Sequence, residues 1–272
     1  MSFTISTLAP AAVGENLFRG FAPAIFGGTH LYGGCVVAQS LLAAYATVEG
    51  RACHSLHAYF IHPGDTRLPI TFEVDRDRDG GSFTTRRVTA LQNDRPILIF
   101  MSSFQTVSEG LKHQHAMPEF AHGPDALISD DPRGNSMGIE IRSMEVPRPG
   151  MVARVRPPRH QVWTRSREPL GDELKYHQAA LAYSSDFPML PTMAQPHGIT
   201  WDMPGLHRAS LDHAIWFHRP FDFHAWHLFD LDSPVVANTR GFARATVYGE
   251  DGSLVASVTQ EAMIRVPLPV SP

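Results

Sequence analysis

From Cys35 to Thr47 the chain is apolar at almost every position, with Val36, Val37, Ala38, Leu41, Leu42, Ala43 and Ala44 on all sides of a helical wheel. A helix apolar all round must be wrapped by the rest of the protein rather than laid on its surface. Strand-like segments follow at His54 to His62, Pro69 to Asp75, Phe83 to Leu91 and Ile97 to Gln105. The second of these alternates Ile70, Phe72 and Val74 with Thr71, Glu73 and Asp75, the period of a half-buried strand. Gln92-Asn93-Asp94 reads as the turn between the last two. A second helix is predicted from Glu173 to about Ser185, with Asp172 as its cap and Pro188 stopping it. Four strands follow, at Ser210 to His218, Ala225 to Asp232, Arg240 to Tyr248 and Leu254 to Ile264. Gly249-Glu250-Asp251-Gly252 is a hairpin turn between the last two.

The order of one helix and four strands therefore occurs twice. Ser55 and Gln105 are 50 positions apart, as are Ser210 and Gln260. The segment from Ser55-Leu56-His57-Ala58 to His62-Pro63 echoes that from Ser210-Leu211-Asp212-His213-Ala214 to Arg219-Pro220. A repeat decides the fold before any single element does. Two copies are too few for a solenoid, so they read as a fused pair of alike halves. Residues 1–106 form the first and 160–272 the second. The linker, 107–159, is rich in proline, aspartate and histidine, with one strand near Gly138 to Glu145, and should run over the surface. One helix beside an antiparallel sheet, twice over, is an α+β architecture with the helix in the concave face of its sheet.

Composition narrows the function. The 272 residues are 43% hydrophobic and 18% charged, a globular balance. A net charge of −4 makes no electrostatic case for nucleic acid. No apolar run approaches the roughly 18 residues of a membrane helix, and no basic-then-apolar leader opens the chain. The expectation is a cytoplasmic protein that does not engage membranes. Its two cysteines, Cys35 and Cys53, sit in apolar surroundings and read as reduced core thiols.

Several ordered segments carry a family resemblance. They include Leu17-Phe18-Arg19-Gly20, Tyr32-Gly33-Gly34, His54-Ser55-Leu56-His57-Ala58-Tyr59-Phe60, Pro63-Gly64-Asp65 and Ser82 to Val88. Further on come His160-Gln161-Val162-Trp163, Gln195-Pro196-His197-Gly198-Ile199, Leu211-Asp212-His213, Trp216 to Phe221 and Val258-Thr259-Gln260-Glu261. In these the chain resembles the acyl-CoA thioesterase II family. The resemblance implies a double hotdog fold, two tandem hotdog repeats each with a long helix wrapped by a curved antiparallel sheet. It implies hydrolysis of acyl-CoA to free acid and CoA, with no metal and no cofactor beyond the substrate. The catalytic set it implies is Asp186, at the end of the second helix, Ser210, opening the next strand, and Gln260 in the last strand. The first half keeps Ser55 and Gln105 but has no acid on its helix, so it should be a degenerate copy. The family's Gly-Gly is often followed by glutamine. Here Cys35 follows, which bears on the acyl tunnel.

A thioester carbonyl is electrophilic and a thiolate leaves readily, so the chemistry needs an aligned water and a stabilised oxyanion. An aspartate can take the water's proton while a hydroxyl and an amide hold that water. Gly33 and Gly34 would allow the backbone to approach the substrate, and His54 and His57 would line the groove. Arg86 and Arg87, with Arg156 and Arg159, are the candidate contacts for CoA phosphates, solvated charge being the equal alternative. Two other readings of function stay open, a non-catalytic acyl-CoA binding module and a hotdog enoyl-CoA hydratase. Asp212-His213 suggests a hydratase dyad, but neighbours on a strand face opposite ways. Gly134-Asn135-Ser136-Met137-Gly138 has the spacing of a nucleophile elbow without the strand before it and helix after it. His113/His115 and His224/His227 lack the carboxylates and spacing of a metal site. Open sheet edges make a homo-oligomer, dimer or tetramer, the expected assembly.

Overall fold

The computed structural model describes residues 5–119, 123–127, 132–143, 154–200 and 203–267. In chain order its elements are β1 (Ala11–Gly14), β2 (Leu17–Gly20), α1 (Gly33–Tyr45), β3 (Ala52–Phe60), β4 (Ile70–Asp79), β5 (Phe83–Gln92) and β6 (Arg95–Gln105). The short α2 (Pro132–Met137), β7 (Ile139–Ser143) and β8 (Arg159–Ser166) lead to the long α3 (Leu174–Ala194). Then come β9 (His207–Ser210), β10 (Asp212–Phe217), β11 (His227–Ala237), β12 (Arg240–Gly249) and β13 (Leu254–Arg265).

All thirteen strands form one antiparallel sheet, in the order β1-β2-β4-β5-β6-β3-β10-β13-β12-β11-β8-β7, with β9 also on β13. The order reads alike outward from the β3–β10 junction. On each side the first strand after the helix is central and later strands follow away from it. β3 and β10 are joined from Asp212↔Tyr59 to Trp216↔Ser55. α1 packs on β3, β4, β5 and β6, α3 packs on β8 and β10 to β13, and the two helices pack on each other. The core is the layer between helices and sheet, where α1 is buried from Gly34 to Ala44.

Strand alternation sets the inner face. Leu56 and Ala58 on β3, Leu98, Phe100 and Phe104 on β6, and Ala256, Val258 and Ala262 on β13 are all buried. The Asn93–Asp94 turn has positive φ at both residues, 49° and 59°, as does Asn238–Thr239 at 50° and 60°. That backbone matches the strands' right-handed twist.

The structure departs from the sequence reading in several places. α3 runs through Pro188 and Pro191 instead of stopping. Each proline removes an N–H that would bond the carbonyl four residues back. The helix survives because it is buried along most of its length and tertiary packing, not propensity, holds it. Its cap residue is Glu173, not Asp172, and it makes no side-chain cap bond. β1 and β2 were not legible, being four-residue strands too short to show a period. β8 was missed because Val162, Trp163 and Thr164 are buried in succession, which hides alternation. β7 lies in the expected linker yet pairs with β8 at the sheet edge, and the rest of the expected strand near Glu145 lies outside the described residues. Linker residues 107–119 have no regular structure, and Gln114 ties them to the β12–β13 turn through Gly252 and Leu254.

The two helices touch where neither side has room. A Cβ on Gly34 would lie 2.3 Å from the Tyr183 backbone oxygen and 2.8 Å from the Tyr32 ring. Gly34→Ala must therefore part α1 from α3 and should destabilise the protein by about 1 to 3 kcal/mol in chemical denaturation. Gly81→Ala, which meets nothing within 4 Å, should be neutral. Equal stability of both variants would show that the helices are not in close contact. Both cysteines lie in this core. Burial pushes the Cys35 thiol up to about 12 and Cys53 also up. Because the thiolate is the reactive form, neither should react with iodoacetamide at neutral pH until the chain unfolds. Rapid native labelling would contradict this burial.

Candidate active site

Asp186 stands in the middle of α3, not at its end, and faces the N-terminus of α1. Its Oδ2 accepts the Gly34 N–H at 2.9 Å, one of the first-turn donors that an α-helix leaves without an intrahelical partner. The carboxylate also lies at the positive end of α1's dipole. Gly33 lets it come close, since a Cβ there would meet Asp186 Oδ2 at 2.8 Å and the Phe60 ring at 2.8 Å. Tyr32 donates its hydroxyl to the Tyr183 carbonyl at 2.6 Å. Burial first, then the Asp186 charge, raises the Tyr32 pKa well above its ordinary value, so this donor stays protonated. Phe26 covers the spot, edge-on to Tyr32 and stacked on Phe187.

Ser210 and Gln260 complete the group. Ser210 donates its hydroxyl to Asp186 Oδ1 at 3.1 Å, and Gln260 Nε2 donates to Ser210 Oγ at 2.9 Å. The sequence reading expected one strand from Ser210, but the chain breaks at Leu211 into β9 and β10. Ser210 pairs with Ala262 while Ala214 pairs with Thr259, a shift of one residue in register. Leu211 and Asp212 bridge the shift by bonding the Glu261 backbone, at 2.9 and 2.6 Å. In an unbroken strand, residues three apart face opposite ways. The bulge turns Ser210 and His213 to the same inner face, beside Gln260. Asp212 and His213 do point apart, as read. His213 lies within hydrogen-bond distance of Gln260 Oε1 at 2.6 Å and Ser185 Oγ at 2.8 Å, and it is fully buried.

So the structure brings together Asp186, Ser210, Gln260, Gly33 and Gly34. It separates the other candidates from them. His54 and His57 lie on the sheet's outer face, because Leu56 and Ala58 take the inner positions of β3. His54 pairs with Ser103 Oγ at 2.8 Å, with its pKa lowered by burial, and His57 packs edge-on against Trp216. Arg86 is buried and all five of its donors are engaged. They reach Thr47 Oγ1 and Thr47 O, Arg78 O, Thr85 O and Asp79, between 2.6 and 3.1 Å. It clamps the C-terminal end of α1, about 20 Å along the helix from Gly33, and has no donor left for a phosphate. Arg87 points outward to Asp75 and Asp77. Arg159 is exposed at the start of β8. A depression of ≈ 480 Å³ lies at this far end of α1, lined by Thr47, Arg51, Arg76 and Arg86 among others. Its three arginines are hydrogen-bonded within the protein, Arg51 to Gly80 O and Gly81 O and Arg76 to Asn16.

The first half does not build a matching site. Ser55, though buried, pairs with Ser103 on the outer side of the sheet, and Gln105 also lies on that side and bonds Ser108, while buried Phe104 and Ser102 hold the inner positions of β6. Ser136 is exposed in the last turn of α2, with β7 after it, not on the strand-to-helix turn of a nucleophile elbow, and Asp130-Asp131 lie outside the described residues. Among the described residues no group of three His, Cys, Asp or Glu is placed to hold a metal ion. His224 and His227 bond backbone carbonyls instead. No helix among them is long and apolar enough to cross a membrane.

Two long helices packed against one face of a continuous antiparallel sheet give the chain a hotdog fold. A protein of Alicyclobacillus acidocaldarius described as having a hot dog fold matches with a TM-score of 0.79 at 18% identity, over 97% of this chain and 98% of that one. Residues 143–263 match the family model described as acyl-CoA thioesterase, and 22–105 match the acyl-CoA thioesterase N-terminal domain. Human acyl-coenzyme A thioesterase 8 is 34% identical, over 98% of this chain and 90% of that protein. Acyl-CoA thioesterase 2 of Haemophilus influenzae is 33% identical over 93% of each. The crystal structure of an acyl-CoA thioesterase II from Mycobacterium marinum matches with a TM-score of 0.81 and 37% identity, covering 96% of this chain and 98% of that one. This chain belongs to the acyl-CoA thioesterase II family, and it is a thioester hydrolase.

The position of Arg86 generates a prediction that a phosphate contact would not. Arg86→Met should cost about 2 to 4 kcal/mol of stability, by leaving buried acceptors unpaired, without changing KM for the thioester. A raised KM in a variant of unchanged stability would return Arg86 to the binding site.

Proposed function

We propose that the enzyme hydrolyses acyl-CoA to free acid and CoA by adding a water that Asp186 deprotonates. The names of its relatives support acyl-CoA as the substrate. The observation that carries the mechanism is the Asp186 carboxylate, 8% exposed, with one oxygen on the Gly34 N–H and the other on the Ser210 hydroxyl. Both bonds hold it rigid and leave lone pairs free for a water proton. Ser210 can accept from the same water. Gln260, fully buried, fixes Ser210 and has a second amide hydrogen to give. The N–H of Gly33, also in the first turn of α1, is the donor we assign to the thioester oxygen. Attack forms a tetrahedral intermediate. Its collapse breaks the C–S bond and releases CoA thiolate, which takes the proton back from Asp186.

The mirrored strand order favours two tandem hotdog repeats, a double hotdog, with residues 1–106 as the supporting repeat, 107–159 as linker and 160–272 as the catalytic repeat. A non-catalytic acyl-CoA binder would need no such carboxylate-hydroxyl-amide set. An enoyl-CoA hydratase would need an acid and a base facing one substrate, and Asp212 and His213 face apart.

Thiol release from acyl-CoAs of short, medium and long chain tests the reading. Asp186→Asn should lower kcat by at least about a hundredfold while the protein stays folded. Full activity in this variant would remove Asp186 from the mechanism. Loss of an enoyl-CoA's conjugated absorbance without thiol release would point to the hydratase.

A further inference from the structure

Behind the site runs a chain of five side chains, Asp186, Ser210, Gln260, His213 and Ser185, each within hydrogen-bond distance of the next. Its polarity can be worked out from one end. An ionised carboxylate only accepts, so the single hydroxyl proton of Ser210 must point to Asp186. Ser210 Oγ must then accept from its other neighbour, which places the NH₂ of Gln260 toward Ser210 and its oxygen toward His213. That oxygen only accepts, so Nδ1 of His213 must carry a proton. A neutral ring then leaves Nε2 bare beside Ser185 Oγ, at 2.8 Å, and burial favours the neutral ring by lowering the pKa of His213 against the opposing pull of Asp186, Gln260 and Asp212. Ser185 has one hydroxyl proton for two acceptors, Nε2 and the Ala182 carbonyl at 3.1 Å.

We propose that His213 is a positioning residue whose Nδ1–H locks the Gln260 amide, and through it aims the Ser210 hydroxyl at Asp186. This rests on the reading of Asp186, Ser210 and Gln260 given above. Without the Nδ1 donor the buried Gln260 oxygen has no partner, and turning the amide over recovers one. The turned amide would present oxygen to Ser210. The Ser210 hydroxyl would then donate to Gln260 instead of Asp186, and the carboxylate would lose one of its two anchors. His213 touches neither substrate nor water in this scheme. Its effect should therefore appear in kcat and not in KM.

Two substitutions separate positioning from bulk. His213→Asn places an amide nitrogen near Nδ1 and keeps the donor to Gln260, though it empties more volume. His213→Gln fills more of the space but places its amide near Nε2, so it keeps Ser185 and abandons Gln260. The Asn variant should retain kcat within about threefold, whereas the Gln variant should lose about tenfold to a hundredfold, the scale known for partners that orient metal ligands, with KM within about twofold in both. A merely structural histidine would rank the pair the other way, so a Gln variant as active as the Asn variant, or more so, overturns the proposal. Should either fail to fold, nitrogen NMR of the wild-type ring, assigned through its own backbone, decides alone. Nδ1 must be protonated and Nε2 bare, and the opposite tautomer refutes the proposal. Asp186→Asn run in parallel keeps the two claims apart. If it is fully active, the reading of the site falls. If it is inactive while His213→Gln matches wild type, only the role of His213 falls.

Discussion

The close approach of α1 and α3 is the constraint on which the rest depends. At Gly34 a backbone carbonyl of one helix occupies the place of a side chain on the other. This contact lets the Gly34 N–H reach Asp186, and it brings the acid of one half to the helix start of the other. Neither half alone holds both groups. The buried apolar stripes of both helices supply the attraction, and the missing Cβ atoms convert it into a defined distance.

The second device is a single shift of register. By putting one extra residue between β9 and β10, the chain directs Ser210 and His213 to the same side, next to Gln260. β3 has its own irregularity, between Cys53 and Ser55, earlier relative to its serine, so Ser55 turns outward with Gln105. The bulge follows Ser210 but precedes Ser55, so the two serines take opposite faces, and Gln105 is outward because Ser102 and Phe104 hold the inner positions of β6.

Buried charge divides into two kinds in this fold. Arg86 is surrounded by acceptors and serves as a clamp, every donor satisfied inside the protein. Asp186 is held by two donors, the Gly34 N–H and the Ser210 hydroxyl, and still has lone pairs to offer. Sequence marks both only as ionisable residues next to apolar ones. Number and direction of partners satisfy one completely and leave the other with free lone pairs.

Hydrophobic pattern was enough to read the two long helices, nine strand segments and two of the hairpin turns. Those signals are local, and a period of two or of nearly four survives without knowledge of neighbours. The resemblance added the trio Asp186, Ser210 and Gln260, and the structure brings the three together. Only tertiary structure decided the rest. Packing carried α3 past two prolines that a local rule takes as a stop, and pairing created β1 and β2 from segments too short to show a period. One inserted residue chose the face of each serine, and burial made a clamp of Arg86 and an inner partner of His213. Each of these depends on what lies opposite in space, and a residue's own neighbours in sequence carry no record of that.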